Sequence, residues 1–426
     1  MSGTQFRNAD PSGGSSTDGS SGTDTGEASV HAPAGLNAVA FVALAGTMAM
    51  MAFVAVVGPL TRLLGLSEWH AGLSMTAAGV LWMLSARRWG QYSDRIGRRR
   101  VLMASLACFT VICGLLALFV DRALAHPPRI LVSVIVIVGA RALIGLVYAA
   151  VPPSAAAHIA DQVPPNRRAS AMARLGAANA IGMVAGPMIA GWIAIYDLSL
   201  VLYAATLLPL LSLLAVAWRL PRTRPAAARA PAPSAVGWRD ARLRLPIFAA
   251  FAAMISVTVT QVTIGFFAID RLALSAADGA RVAGFALTAV GGGLIVSQWT
   301  MTRLTWPPIR WLLTGALLSA IGFAGVSLVV SQWQLLAVYA LAGLGMGLVR
   351  PSLQALTANA VEPHEQGAAA GLIASMQGVG MVVGPLAGTL LYRWSPSAPY
   401  LVVGALLLGL AIAVWRHRSH GSGDIS

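Results

Sequence analysis

Between residues 35 and 415 the chain falls into apolar stretches of about twenty residues, parted by short polar breaks. Coiled as a helix, a stretch of that length matches a bilayer core of roughly 30 Å. Twelve such stretches can be read, at 35–60, 69–89, 101–120, 129–154, 169–195, 198–218, 245–269, 280–301, 309–330, 333–357, 366–392 and 397–415. The chain is 57% hydrophobic and only 10% charged, with a mean hydropathy of +0.72. Soluble domains carry about 25% charged residues. An all-α integral membrane protein is therefore expected.

A formal net charge of +14 would suit nucleic acid if it were gathered on a soluble domain, but here the basic residues lie in short breaks between apolar spans. Nucleic acid is not an expected partner; the lipid bilayer is. Every basic residue is arginine. Arg95, Arg98, Arg99 and Arg100 follow span two, Arg167 and Arg168 follow span four, and Arg219, Arg222, Arg224, Arg229, Arg239, Arg242 and Arg244 follow span six. The loops on the other side carry few, although Arg271 and Arg281 flank the loop after span seven. By the positive-inside rule both termini are cytoplasmic. Residues 1–33 are rich in Gly, Ser, Thr and Asp and read as a disordered cytoplasmic tail. The Pro-, Ala- and Arg-rich stretch 219–244 reads as a cytoplasmic linker between bundles at 34–218 and 245–416, with a short tail at 417–426. Cys108 and Cys113 point to different faces of one span and imply neither a disulfide nor a metal pair.

An internal repeat supports the two bundles. Shifted by 198 residues, Gly145–Pro187 lies on Gly343–Pro385 without a gap and with about a third of positions identical. The shared residues include Pro153/Pro351, Ser154/Ser352, Pro165/Pro363 and Gly182-Met183-Val184/Gly380-Met381-Val382. A second match, Ala71-Gly72 with Thr76-Ala77 on Ala283-Gly284 with Thr288-Ala289, needs a shift of 212. A longer connection around Asp121–Ile130 in the first half accounts for the difference. The chain reads as a duplicated six-span unit.

The break Gly90-Gln91-Tyr92-Ser93-Asp94-Arg95-Ile96-Gly97-Arg98-Arg99-Arg100 cannot lie in hydrocarbon, where each charge costs roughly 2.5–3.5 kcal/mol. It is expected to be a tight polar turn. Its Gly-x-x-x-Asp-Arg-x-Gly-Arg-Arg spacing resembles the signature between helices two and three of the major facilitator superfamily. The resemblance covers residues 35–416 and implies twelve transmembrane helices in two pseudo-symmetric six-helix bundles around an alternately accessible cavity. It also implies that Gly90, Asp94, Arg95, Gly97 and Arg98 form a gating turn, whose charges hold the outward-open state. In the second half Asp94 maps to Trp306 and Arg95 to Pro307, so that copy has lost its charges.

Arg141 lies well inside span four, where a charge should face a water-lined cavity or an acidic partner. Its Arg-x-x-x-Gly setting resembles the fourth-helix motif of proton-coupled facilitators, which makes it a proton-coupling candidate. Asp161, at the end of that span, reads as part of the following loop with Arg167 and Arg168. Gly182, Gly186, Pro187 and Gly191 in span five bring small residues to a close helix contact beside a kink. They resemble the motif that marks drug:proton antiporters within the superfamily, with Ala190 where another glycine is common. Substrate-cavity candidates are Tyr148, Gln261, Phe266, Gln354 and Gln377. No acid lies clearly mid-span in the first half, whereas several such antiporters have one in the first helix.

These features imply a secondary active transporter of a bacterial inner membrane. It would export a small, partly hydrophobic molecule, a drug or a secreted metabolite such as a siderophore, by proton antiport. An uptake symporter of the same fold is the alternative, and a non-transporting membrane sensor a further one. No Walker loop, Gly-x-Ser-x-Gly or His-Glu-x-x-His arrangement occurs, so no enzyme activity, cofactor or metal is expected. The expected partners are the substrate and protons, and the expected state is a monomer.

Overall fold

A computed structural model describes residues 35–221, 237–362 and 365–421. Every regular element among them is helical. The first half contains α1 (Leu36–Leu63), α2 (Glu68–Ile96), α3 (Arg98–Ala125), α4 (Ile130–Tyr148), α5 (Val151–Gln162), α6 (Pro165–Ile193) and α7 (Leu198–Arg219). The second contains α8 (Arg244–Leu272), α9 (Ala276–Arg303), α10 (Pro308–Gly325), α11 (Gln332–Asn359), α12 (Gln366–Trp394) and α13 (Ala398–Gly421). The expected tail at 1–33, linker positions 222–236, the repeat position Pro363 and residues 422–426 lie outside the described residues. From 417 to 421 the expected C-terminal tail is the last turn of α13.

Eleven rods are long and apolar enough to cross a membrane, with α4 and α5 counted as one. The twelfth is α2, whose second half carries Arg87, Arg88, Asp94 and Arg95. Its 29 residues make a rod of about 44 Å, well beyond a 30 Å core, so its charged turns can stand clear of the hydrocarbon. Successive rods alternate in direction. The start of α1, the α2/α3 junction and the end of α13 share one end of the bundle, here the terminal end; the α1/α2 loop marks the distal end. Exposed aromatic residues form a belt at each: Trp218, Trp306 and Trp415 at the terminal end, Trp192, Tyr196 and Trp394 at the distal end.

Local chemistry sets the helix starts. Asp197 accepts the Ser199 amide at 2.6 Å, and Ser275 accepts the Asp278 amide at 3.1 Å, so α7 and α9 each begin on a capped turn. Span four continues beyond its expected end at residue 154 because α5 carries it to Gln162. At Ala149 and Ala150 the rod tightens for a turn while both residues keep right-handed helical torsions, and Pro152 and Pro153 remove two amide donors just beyond. The repeat partner α11 has only Pro351 and runs unbroken.

Packing between the halves is uneven along their length. One apolar cluster runs through the first half and across the distal part of the second, taking in Val262, Phe266, Phe267, Tyr339 and Tyr400. The terminal part of the second half has a separate cluster around Ala249, Leu312, Val349 and Leu407. Towards the terminal end, Gly176 of α6 and Gly367 and Gly371 of α12 have no neighbour within van der Waals reach of a side chain. The halves meet at the distal end and part at the terminal end.

Candidate functional site

Where the halves begin to part, a cavity of about 220 Å³ lies among α1, α2, α4, α6, α8 and α12. A smaller space of about 50 Å³ adjoins it, and the two share Met51 and Gln261. Met50, Met51, Met75, Met381 and Trp82 supply its bulkiest apolar lining, which adapts to irregular shapes. Beside Arg141, Thr258 and Gln261, the wall carries a polar patch in which Thr47 donates to Asn179 Oδ1 at 2.7 Å and lies 3.3 Å from the Tyr148 hydroxyl. The Tyr148 ring occupies the space left by Gly46, where an added Cβ would stand 2.6 Å from that ring. Among the described residues, neither space is lined by an acid.

Arg141, Gly145 and Tyr148 share one face of α4 at helical spacing and all line this cavity. Arg141 is only 4% exposed. Its guanidinium carbon stands 4.3 Å from the centre of the Phe53 ring, and Nη1 lies 3.7 Å from Met50 Sδ. Nε is buried without a hydrogen-bond partner. A desolvated cation–π contact supplies about 2 kcal/mol or somewhat more, against a burial penalty of several kcal/mol for an ion. Of the two settings expected for Arg141, the cavity is found, and no acidic partner stands among the described residues.

The α2/α3 junction departs from the expected turn across Gly90–Arg100. The helix continues through Gly90, Asp94 and Arg95 to Ile96, and Gly97 alone turns the chain, with φ 100° and ψ 140°. A side chain at that φ would be strained, so glycine allows a one-residue reversal. Arg98, only 7% exposed, is ion-paired with Asp94, and its Nε lies 3.2 Å from Asp161 Oδ2. Ser93 receives a bond from Arg98 Nη1 at 3.3 Å and one from Ser154 at 3.1 Å. Asp161 therefore belongs to α5 and this cluster, not to the loop. Arg95 points outward and is exposed. The described charges of the cluster lie within the first half. At the same end of the second half, Arg242 pairs with Asp240 at 2.8 Å and Glu365 at 3.0 Å. Hydrogen bonds from Arg242 hold the Asp240 carboxyl below its ordinary range. Trp306, the counterpart of Asp94, stacks on Trp311 at 4.6 Å.

The glycines of α6 face two helices. A Cβ at Gly182 would stand 2.5 Å from Leu44 O, and one at Gly186 2.8 Å from Met48 O, both on α1. Gly191 and the Pro187 carbonyl instead meet Gly284 of α9, in the other half. The repeat copies this: Gly380 and Gly384 of α12 press on α8, while Gly72 of α2 meets the Pro385 carbonyl.

At the distal end a polar seal joins the halves. Arg62, in the last turn of α1, pairs with Asp270, in the last turn of α8, at 2.5 Å and with Glu68 at 2.7 Å. Tyr392 of α12 donates to the same Asp270 oxygen at 3.0 Å. Phe266 lies here, 5.5 Å under the Arg62 guanidinium and 5.8 Å from the Tyr392 ring. It is fully buried in the seal and does not line the cavity. Tyr148 and Gln261 do line it; Gln354, exposed on α11, and Gln377, half-buried on α12, do not. Sequence reasoning missed Arg62 and Tyr392 as partners of Asp270. The available signal was a pair of opposite charges closing the first rod of each half.

The family model of the Major Facilitator Superfamily matches residues 39–329 and 279–424. The class G tetracycline resistance protein of Vibrio anguillarum is 28% identical over 362 residues, covering 82% of this chain and 87% of that protein. A multi-drug resistance efflux pump PmrA homologue of Lactococcus lactis is 25% identical over 357 residues, covering 82% and 83%. In fold, a bacterial homologue of the human lysosomal transporter Spinster, solved inward-facing and occupied, superposes with a TM-score of 0.70 at 14% identity, covering 89% and 95%. The chain is a multi-pass inner-membrane transporter, not an enzyme, and it belongs to the Major Facilitator Superfamily.

Proposed function

We propose that the protein exports a small, partly hydrophobic molecule from the cytoplasm by proton antiport, a drug or a secreted metabolite such as a siderophore. The observation that carries this reading is the seating of Gly182, Gly186, Pro187 and Gly191. They hold α6 against α1 in its own half and α9 in the other, beside the Met-lined cavity. The similarity to tetracycline and multidrug efflux proteins over most of the chain supports the same direction.

With both termini cytoplasmic, the terminal end faces the cytoplasm and this conformation is inward-open. Substrate enters between α6 and α12, and the Arg62–Asp270–Tyr392 seal closes the outer side. Passage to the outward-open state breaks that seal and brings the cytoplasmic ends together, where Asp94 and Arg98 latch the closed inner face. Loss of the Asp270 charge removes one partner of Arg62 and so favours outward opening. Arg141 contributes a fixed charge to the coupling, because a guanidinium keeps its proton inside proteins.

The test uses inside-out vesicles energised to an acidic interior and a panel of dyes, antibiotics and iron chelators. Uncoupler-sensitive accumulation inside the vesicles is expected. No accumulation of any panel member by inserted, folded protein overturns the export reading, as does accumulation confined to right-side-out vesicles.

A further inference from the structure

We infer that the cavity selects substrates carrying an acidic group, a carboxylate or an ionised enol or phenol, which Arg141 takes up directly. The inference deepens the export reading and rests on it in treating the cavity as the substrate site.

The charge inventory of the cavity carries the argument. Among the described residues Arg141 is the one charged residue on its wall, and none of those lining it is an acid. A guanidinium offers five donors in a planar fork suited to a carboxylate. Here its described contacts are a thioether sulfur, which accepts weakly, and the face of Phe53. Its buried Nε makes no hydrogen bond. Two other arginines removed from solvent have acids, Arg62 with Asp270 and Glu68 and Arg98 with Asp94 and Asp161, and half-buried Arg99 gives Nη2 to the Ala217 carbonyl. Arg141 is more buried than any of them and has neither kind of partner among the described residues. While the cavity is open to the cytoplasm, water can solvate the guanidinium. Once the halves close on a ligand that water is displaced, and the ligand must supply the acceptor.

The remaining wall completes the description of the ligand. Met50, Met75 and Trp82 suit a flat or irregular apolar body. Tyr148 lies two turns along α4 from Arg141, so a ligand held by its acid can also reach a neutral hydroxyl. A permanent cation of the same size would meet an unneutralised positive charge in a poorly screened space and no compensating acid. The preference therefore runs towards anionic and zwitterionic amphipaths and away from purely cationic ones.

The test measures equilibrium binding to the full chain in lipid nanodiscs, without a gradient. The probes are anthracenecarboxylate, anthracenemethanol and anthracenemethylamine, which share one apolar body and differ in charge. Energy transfer from tryptophan to anthracene reports the saturable component over empty discs. The wild-type protein is expected to bind the carboxylate at least tenfold more tightly than the amine. Arg141→Gln should erase the advantage of carboxylate over alcohol, and Arg141→Lys should retain part of it. Equal or tighter binding of the amine by wild type overturns the inference, and so does a carboxylate that fails to saturate. That comparison needs no variant, so a misfolded mutant cannot rescue the idea. A carboxylate preference kept in folded Arg141→Gln also overturns it. Because no transport is measured, a protein that binds the carboxylate selectively but does not export it upholds the charge preference and sinks only the export reading.

Discussion

Thr76 donates its hydroxyl to the main-chain oxygen of Val382 at 2.7 Å, and the contact is repeated in the other half, where Thr288 reaches Val184 at 3.4 Å. The two threonines are equivalent under the 212-residue shift and the two valines under the 198-residue shift. Each bond ties the second rod of one half to the glycine-rich rod of the other, so the duplication survives as a matched pair of cross-half contacts. The pair is not of equal length. Thr76→Val should lower the melting temperature more than Thr288→Val, the stronger loss lying near 1 kcal/mol, as interhelical bonds in membranes average about 0.6 and reach about 1.7. Parallel thermal unfolding of the two variants in detergent checks the order.

Position along α6 decides how much a glycine matters. A Cβ at Gly186 would stand 2.8 Å from the Met48 carbonyl, whereas one at Gly176 meets nothing within 4 Å. Gly186→Val is expected to cost about 1–3 kcal/mol through overpacking against backbone, and Gly176→Val much less. Since both changes occur in one helix, propensity cancels, and comparable melting losses would refute the close-packing account.

The distal seal should weaken when Asp270 loses its charge. Asp270→Asn leaves Arg62 with Glu68 alone. A partly exposed pair of this kind contributes up to about 1 kcal/mol, which is roughly a fivefold shift in the outward-open population. The readout is labelling of Thr389→Cys by an impermeant thiol reagent, with Cys108 and Cys113 replaced by serine. Labelling should rise in Asp270→Asn and rise further when Glu68→Gln is added. Unchanged labelling in Asp270→Asn would exclude Asp270 from the gate.

Two neighbouring arginines at the α2/α3 junction should differ sharply. Arg98 is buried between Asp94 and Asp161, so Arg98→Ala leaves two partly exposed carboxylates without their cation and should cost about 1–3 kcal/mol. Arg95 is exposed, and Arg95→Ala should stay within about 0.5 kcal/mol. Equal effects in thermal unfolding would show that the junction needs only its total charge.

Hydropathy and repeat spacing made the rods and their pairing legible before any coordinates, because a span must be apolar for its whole length and a duplication keeps its small residues. The same logic misled at Gly90–Arg100. Four arginines and an acid were read as a turn, but α2 is long enough to leave the hydrocarbon as a helix, and only Gly97 reverses the chain. Asp161 was grouped with Arg167 and Arg168 as part of a loop, while α5 carries the rod on to Gln162. The Arg62–Asp270 contact spans 208 positions, and local pattern carries no information about which two rod ends meet. Phe266 looked like a ligand contact for the same reason: depth in a span was readable, but which neighbour it faces was not. Arg141 was legible as a buried charge, whereas its lack of an acidic partner became visible only with Phe53 and Met50 in place around it.

The double proline at Pro152 and Pro153 gives the two halves different mechanical character. In the first, the fourth rod has a soft point where two amide hydrogen bonds are missing; in the second, α11 lacks only one, at Pro351. A load applied at the cytoplasmic tip of α5 can be absorbed at that soft point, so Asp161 and its cluster can be displaced while Arg141 and Tyr148 keep their station. The same load on α11 must swing its whole length. Exchange of access between the two faces of the membrane is then a lopsided movement, in which one half flexes to follow and the other pivots to lead.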